Sequence, residues 1–232
     1  MNIKFSGFLF TLIILFAALD SFAQVSDKER MLQSSRNATG TKVAWEQGYT
    51  YSFDDDAQMD SFAVAAGKFE IKDGALRAID GNTNRAIMIA KNTFGKYFRI
   101  EIEVTNFANE KTGRTGDISF LINSVSVEKY EVFFFNGYSL TTASFGNSNT
   151  AFYKKGKPFA RTEYTPVVSG KKNMAMLDYM NGHIRYWFNG QIILEAWDDD
   201  PLEMDPSLWI GVRSYDTLMV IDKMTISKGR AL

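Results

Sequence analysis

The single histidine of the chain lies in a short run of residues whose side chains could act together. His183, Arg185 and Trp187 occupy alternate positions, and alternate side chains of a β-strand project from the same face. An indole ring can cover the apolar side of a pyranose, and a guanidinium can pair with a uronate carboxylate. We therefore predict Arg185 and Trp187 as binding residues and His183 as a candidate catalytic residue. Alternatively, Trp187 covers a loop and His183 merely follows the Asn181-Gly182 turn.

A second group of polar, cationic and aromatic residues lies between Asn147 and Tyr164. We interpret this run as a loop. A loop of this length in a compact domain more often has a functional role than not. Its amides could bind sugar hydroxyls, its cations an acidic sugar and its aromatic rings a pyranose. The predicted substrate-binding residues are Asn147, Asn149, Tyr153, Lys155 and Arg161. The alternative is an ordinary solvated basic loop.

Two aspartates lie on predicted strands, where an acidic residue is unexpected. Asp117 shares a face with Ser119 and Asn123, and this polar face could form the floor of a groove. Asp178 could serve likewise, or either aspartate could be a buried structural group. Hydrolysis would need paired carboxylates, and lyase chemistry would need a base such as Tyr or His. The catalytic candidates are thus His183, Tyr153, Asp117 and Asp178.

The composition excludes several kinds of chemistry. The 232 residues include no Cys and one His, which rules out disulfides, thiolate nucleophiles, Cys-ligated metals and multi-His metal sites. A net charge of −1 gives no reason to expect nucleic acid or an anionic membrane as a partner. The acidic runs 54–56 and 198–200 raise the alternative of structural calcium, but the D-x-D-x-D-G spacing is missing and tight acidic turns explain them better. We predict no cofactor and no metal site.

The N-terminal residues predict export. Lys4 precedes the apolar run 8–19, and Ser21-Phe22-Ala23 follows it as a small-x-small cleavage pattern. We expect a signal peptide over 1–23, cleaved after Ala23, and a secreted or periplasmic protein. An N-terminal anchor helix is the alternative, although the apolar run is short for a membrane span. Since no cysteine follows the cleavage site, no lipid anchor is expected. Residues 24–44 form a polar lead-in, and 45–232 form one domain.

Short strands separated by turns dominate that domain. Residues 97–104 alternate between apolar and charged side chains, which indicates a half-buried strand. Hairpin turns are predicted at Asp73-Gly74, Asn181-Gly182 and Asn189-Gly190. No convincing amphipathic helix occurs. About a dozen strands predict an all-β fold, a two-sheet antiparallel β-sandwich of the jelly-roll kind.

Three segments of this chain are similar to known families. The Asp73-Gly74-Ala75-Leu76 hairpin and the run Tyr186-Trp187-Phe188-Asn189-Gly190 resemble concanavalin A-like lectin and glucanase sandwiches. Residues 146–155 resemble a segment of the YesU-like family, which is found with genes for rhamnogalacturonan utilisation. Where that family has arginines, this chain has Tyr153 or Lys154 and Lys155. The resemblance implies a concanavalin A-like sandwich with carbohydrate as its partner.

Together these observations predict an exported protein that binds acidic, pectin-type oligo- or polysaccharide in a concave aromatic and cationic groove, and that could also process it. If it is an enzyme, a polysaccharide lyase or a glycoside hydrolase is expected. A non-catalytic structural or protein-interaction sandwich is the remaining alternative. The sequence does not predict the oligomeric state.

Overall fold

The computed structural model describes residues 43–46, 48–79, 85–92, 94–123, 137–143, 148–164, 167–202 and 209–232. The predicted signal peptide, the lead-in up to residue 42 and Asn147 lie outside these residues. Among the residues described, no helix is long and apolar enough to cross a membrane.

Sixteen strands and one short 3-10 helix, Asp56–Ser61, make up the described part of the fold. The strands are β1 (Val43–Trp45), β2 (Tyr49–Tyr51), β3 (Phe62–Ala66), β4 (Lys68–Lys72), β5 (Ala75–Ile79), β6 (Arg85–Ala90), β7 (Tyr97–Phe107), β8 (Ile118–Asn123), β9 (Tyr138–Ala143), β10 (Asn149–Lys154), β11 (Lys157–Thr162), β12 (Lys172–Met180), β13 (His183–Phe188), β14 (Gln191–Trp197), β15 (Trp209–Tyr215) and β16 (Leu218–Ala231).

These strands form two antiparallel sheets. The first sheet has the order β14-β13-β12-β7-β16-β5-β4, and β1 and β2 also pair with β16. The second sheet has the order β11-β10-β9-β8-β15-β6-β3. The predicted two-sheet antiparallel sandwich is therefore confirmed.

The core lies between the two sheets and follows the alternation of the strands. In β7, Phe98, Ile100 and Ile102 are almost fully buried in it. Tyr179 of β12 stacks on Phe98 with ring centroids 5.3 Å apart, and Tyr138 of the second sheet lies 5.6 Å from Tyr179. Aromatic contacts thus join neighbouring strands and both sheets, in the close-packed manner of protein interiors.

The three predicted hairpin turns are confirmed. Asp73-Gly74, Asn181-Gly182 and Asn189-Gly190 each have a positive φ at both residues, as a two-residue hairpin loop of type I′ requires. Gly182 is also a point of close approach, because a Cβ there would lie 2.7 Å from the backbone oxygen of Asp198. These turns connect β4 to β5 and β12 to β13 to β14.

The predicted loop over 147–164 is wrong. Its described residues contain β10 and β11, which pair as a hairpin around the turn Lys155-Gly156. Thr150 and Phe152 are buried toward the core side of this hairpin, although Thr150 is polar. Polar residues therefore occur on both faces of β10, and this hides the alternation in the sequence.

Candidate functional site

One row of residues crosses the outward face of the second sheet. Arg213 of β15 is opposite Ser119 of β8, and Ser119 is opposite Thr141 of β9. Thr141 is opposite Ala151 of β10, which is opposite Arg161 of β11. Four strand spacings separate the two arginine backbones, about 19 Å. Hydroxyls and a small alanine therefore lie between two cations on one surface.

Asp117 neutralises one of these cations. Its Oδ2 accepts a hydrogen bond from the Arg213 guanidinium at 2.5 Å, and its Oδ1 accepts one from the Ser119 hydroxyl. All three side chains are buried. A charge-assisted hydrogen bond to a buried partner holds both groups in place. Asp117 and Arg213 therefore form an immobile ion pair at one end of the row.

Tyr153 lies near the other end of the row. Its position on β10 is opposite Ser139 of β9, and its phenol hydrogen-bonds to Thr141. Burial raises the pKa of this phenol, against the lowering effects of the Thr141 hydrogen bond and the Arg161 charge. Tyr153 is therefore protonated at neutral pH and can donate a hydrogen bond.

We call this surface the polar face and define it by eight residues. They are Asp117, Ser119, Ser139, Thr141, Asn149, Tyr153, Arg161 and Arg213. Most of them are buried, whereas Tyr153 is partly accessible and Arg161 is exposed. A ligand would therefore meet the polar face first at the β10–β11 hairpin.

The structure brings together four residues that the sequence singled out. Asp117, Asn149, Tyr153 and Arg161 all lie on the polar face, while Asn147 is outside the described residues. Lys155 is exposed in the turn beside it, and its N–H donates to the Gly137 carbonyl at 2.8 Å.

Sequence reasoning missed the polar-face residues Ser139, Thr141 and Arg213. Arg213 had a detectable signal, since Ile210 and Val212 alternate with it and occupy the core. Thr141 had none, because both Thr141 and Thr142 are polar and adjacent on β9.

The outward face of the first sheet carries a row of alternating charges. Arg99 of β7, Asp178 of β12, Arg185 of β13 and Glu195 of β14 are opposite one another in that order. Asp178 accepts from Arg99 at 2.6 and 3.0 Å and from Arg185 at 3.2 Å. Asp178 and Arg185 are at most 1% exposed. The carboxylate proposed for catalysis and the guanidinium proposed for sugar binding are thus bound to each other.

His183, Arg185 and Trp187 share this outward face, while Ile184, Tyr186 and Phe188 lie in the core. The His183 ring hydrogen-bonds to Glu195 at 2.8 Å. Burial lowers the pKa of His183 and outweighs the raising effect of Glu195. Trp187 is 3% exposed, and the Arg185 guanidinium lies 5.6 Å from its ring centroid.

The acidic runs are used in turns. Asp55 caps the 3-10 helix by accepting from the Ala57 N–H at 2.9 Å. Asp198 accepts from the Tyr138 hydroxyl at 2.5 Å and pairs with Lys154 at 2.8 Å. Within the described part of the chain, no group of three or more His, Asp or Glu side chains is arranged to hold a metal ion.

Comparison with known proteins identifies the fold. No protein-family profile matches the chain, and no curated protein matches it. A Bacillus subtilis protein of unknown function with a galectin-like fold matches with a TM-score of 0.63 and 12% identity, over 80% of this chain and 99% of that one. Peanut lectin matches with a TM-score of 0.61 and 8% identity, over 82% and 99%. The carbohydrate-binding module CBM66 from Bacillus subtilis matches with a TM-score of 0.53 and 14% identity, over 69% and 91%.

These likenesses show that the chain has the two-sheet β-sandwich fold that a galectin-like protein and peanut lectin also have. At such low identity they establish the fold alone, so the residues of the two outward faces have to carry any argument about function.

Removal of the Asp178 charge should destabilise the protein strongly. In Asp178→Asn, two buried arginines lose their carboxylate, and breaking a buried ion pair in this way costs about 3–5 kcal/mol. We expect a correspondingly lower free energy of unfolding in urea. Glu103→Gln is the control, because Glu103 pairs with the exposed Lys172 at 3.4 Å on the same face, and it should change little. Equal unfolding midpoints for the two variants would contradict this role of Asp178.

Proposed function

We propose that this protein binds acidic carbohydrate of the pectin type at the β10–β11 end of the polar face. The main observation behind the proposal is that an accessible cation lies close to an aromatic hydroxyl whose position is fixed. Arg161 is exposed and close enough to Tyr153 to influence its pKa, and Tyr153 is held by Thr141. A uronate carboxylate could pair with Arg161 while the sugar ring contacts the phenol.

The charge around the hairpin supports an anionic ligand. Lys155 and Lys157 are exposed on the same hairpin as Arg161, and no ion pair between described residues includes any of these three cations. Lys154 differs, because it is bound to Asp198. Uncompensated cations on one hairpin attract an anion and accelerate its association.

Other observations point to a carbohydrate as the ligand. The accessible part of the polar face combines the partly exposed Tyr153 phenol with the exposed Arg161 guanidinium, and a few convergent polar groups of this kind are typical of sites that orient a small ligand. The resemblance of residues 146–155 to the YesU-like family, and the lectins and carbohydrate-binding module among the structural neighbours, point to the same ligand class.

The geometry favours binding without cleavage. A lyase base has to be deprotonated, and the pKa of Tyr153 is raised. Asp117 would have to act as a free acid or base, and its two oxygens are bound to Arg213 and Ser119. We therefore expect oligogalacturonides to remain intact when they are incubated with the protein.

Loss of the Arg161 charge should weaken binding of an oligogalacturonide about tenfold or more, since a charge-assisted hydrogen bond contributes about 1.5–3 kcal/mol. Isothermal titration calorimetry would measure this in Arg161→Ala. The wild-type affinity should fall as salt is added, because exposed charges are screened. Arg230→Ala removes another exposed arginine, at the end of β16, and should bind normally. Equal affinity of Arg161→Ala and Arg230→Ala would contradict the proposed site.

Binding of the same oligogalacturonide should be independent of pH from about 6 to 9. The pKa of Tyr153 is raised above the ordinary tyrosine value of about 10, so the phenol keeps its proton throughout this range and loses it only at higher pH. Binding should therefore weaken only when the phenol ionises at high pH or the sugar carboxylates are protonated at low pH. Calorimetry of the wild type and of Tyr153→Phe would test this. A transition between pH 6 and 9 that disappears in Tyr153→Phe would mean that Tyr153 ionises there.

We also propose that the chain is exported and cleaved after Ala23, as the N-terminal pattern indicates. Mass spectrometry of the protein released by the cell should then find Gln24 as its first residue. Retention of the protein in the cell with Met1 or Asn2 at its N-terminus would contradict export.

A further inference from the structure

The most exposed aromatic ring of the described residues lies on the first sheet and is not part of the polar face. Trp197 ends β14, an edge strand of that sheet, and is 56% exposed. Its ring stacks on the His183 imidazole with centroids 4.5 Å apart and the planes 6° from parallel. One face of the indole is therefore covered by the histidine, and the opposite face is open to solvent.

Two sets of contacts fix the position of Trp197: those of the His183 ring beneath the indole and those of the adjoining backbone. His183 and Trp197 are opposite each other in the β13–β14 ladder, and Glu195 hydrogen-bonds to the same histidine. The next residue, Asp198, donates its N–H to the Gly182 carbonyl at 2.9 Å and pairs with Lys154 of the second sheet. Because these contacts hold the ring in place, little conformational entropy would be lost when a ligand stacks on it.

The surroundings of Trp197 suit a small ligand better than a protein. Ile192 is the other exposed apolar side chain of β14, and it lies five residues away, about 16 Å along the strand. A stable protein interface buries about 800 Å² on each partner, which requires a continuous patch. A single flat indole with a carboxylate beside it matches instead a pyranose, which has an apolar face and hydroxyls at its edge.

The charge around Trp197 is opposite to that around Arg161. Glu195 is partly exposed, and Asp199 is exposed two residues after the tryptophan. Asp200 is also exposed and lies 3.8 Å from the Lys154 ammonium. Carboxylates would repel a uronate and would accept hydrogen bonds from the hydroxyls of an uncharged sugar.

We propose that Trp197 and Glu195 form a second carbohydrate-binding site, on the outward face of the first sheet, that takes neutral pyranose units. The indole provides the stacking surface, His183 supports it from the other side, and Glu195 accepts hydrogen bonds from the sugar. This site includes no residue of the polar face. A test of neutral-sugar binding at Trp197 is therefore independent of a test of uronate binding at Arg161.

The test uses neutral oligosaccharides of galactan, glucan and xylan as probes, with binding measured by calorimetry and by tryptophan fluorescence. We expect at least one probe to bind the wild type, and Trp197→Ala to lose about tenfold or more of that affinity. Trp197→Tyr keeps an aromatic surface and should retain most of it. Ile192→Ala, a matched loss of an exposed apolar side chain from the same strand, should bind like the wild type.

The polar-face variant Arg161→Ala separates the two proposals. It should bind the neutral probe normally, while Trp197→Ala should bind the oligogalacturonide normally. Thermal melting of each variant shows that it is folded. The second site would be refuted if no neutral probe binds the wild type, or if folded Trp197→Ala binds the probe as tightly as Ile192→Ala does.

Discussion

The apolar contact between the two sheets is the constraint on which the rest of the structure depends. Both inner faces are filled with aromatic and aliphatic side chains such as Phe98, Tyr179 and Phe120, so each strand has one side committed to the core. Strand alternation then forces the polar residues of the same strands onto the outward faces. The two candidate binding surfaces are a direct consequence of how this core is packed.

Charge pairing decides which of the outward residues remain available to a ligand. One aspartate on each outward face neutralises arginine: Asp178 pairs with Arg99 and Arg185 on the first sheet, and Asp117 pairs with Arg213 on the second. Burying one of these charges without its partner would be costly, so each pair has to stay intact in the folded chain. Function then has to use what the pairs leave exposed, which is Arg161 on one side and Trp197 on the other.

The sequence was sufficient for the fold because the relevant signals are local. Alternation in residues 97–104 and the Asn-Gly turns depend only on neighbours along the chain, and the structure confirms both. The hairpin of β10 and β11 could not be recognised, because Thr150 places a polar side chain on the buried side and hides the alternation.

Part of the candidate site also follows from the sequence, because side-chain chemistry alone predicts Asp117, Asn149, Tyr153 and Arg161 as site residues. What the sequence could not show is which partner lies opposite each residue on the next strand. His183, Arg185 and Trp187 do share a face, as alternation predicts. No signal in the neighbouring sequence indicates, however, that Asp178 forms an ion pair with Arg185. Likewise, Arg213 belongs to the polar face only because β15 lies beside β8, and 85 residues separate the end of β8 from the start of β15 in the chain.

The two surfaces keep opposite charges in spite of an ion pair between them. Lys154 of β10 and Asp198, which follows β14, bind each other where the sheets approach, so each surface loses one charge of its own prevailing sign. Lys155, Lys157 and Arg161 still leave the β10–β11 hairpin positive, while Glu195 and Asp199 leave the end of β14 negative. A polymer of uronate and neutral sugars could therefore bind by its two kinds of unit at two places on one domain. Such divalent contact raises the overall affinity above that of either site alone, provided that the chain between the units can span the distance.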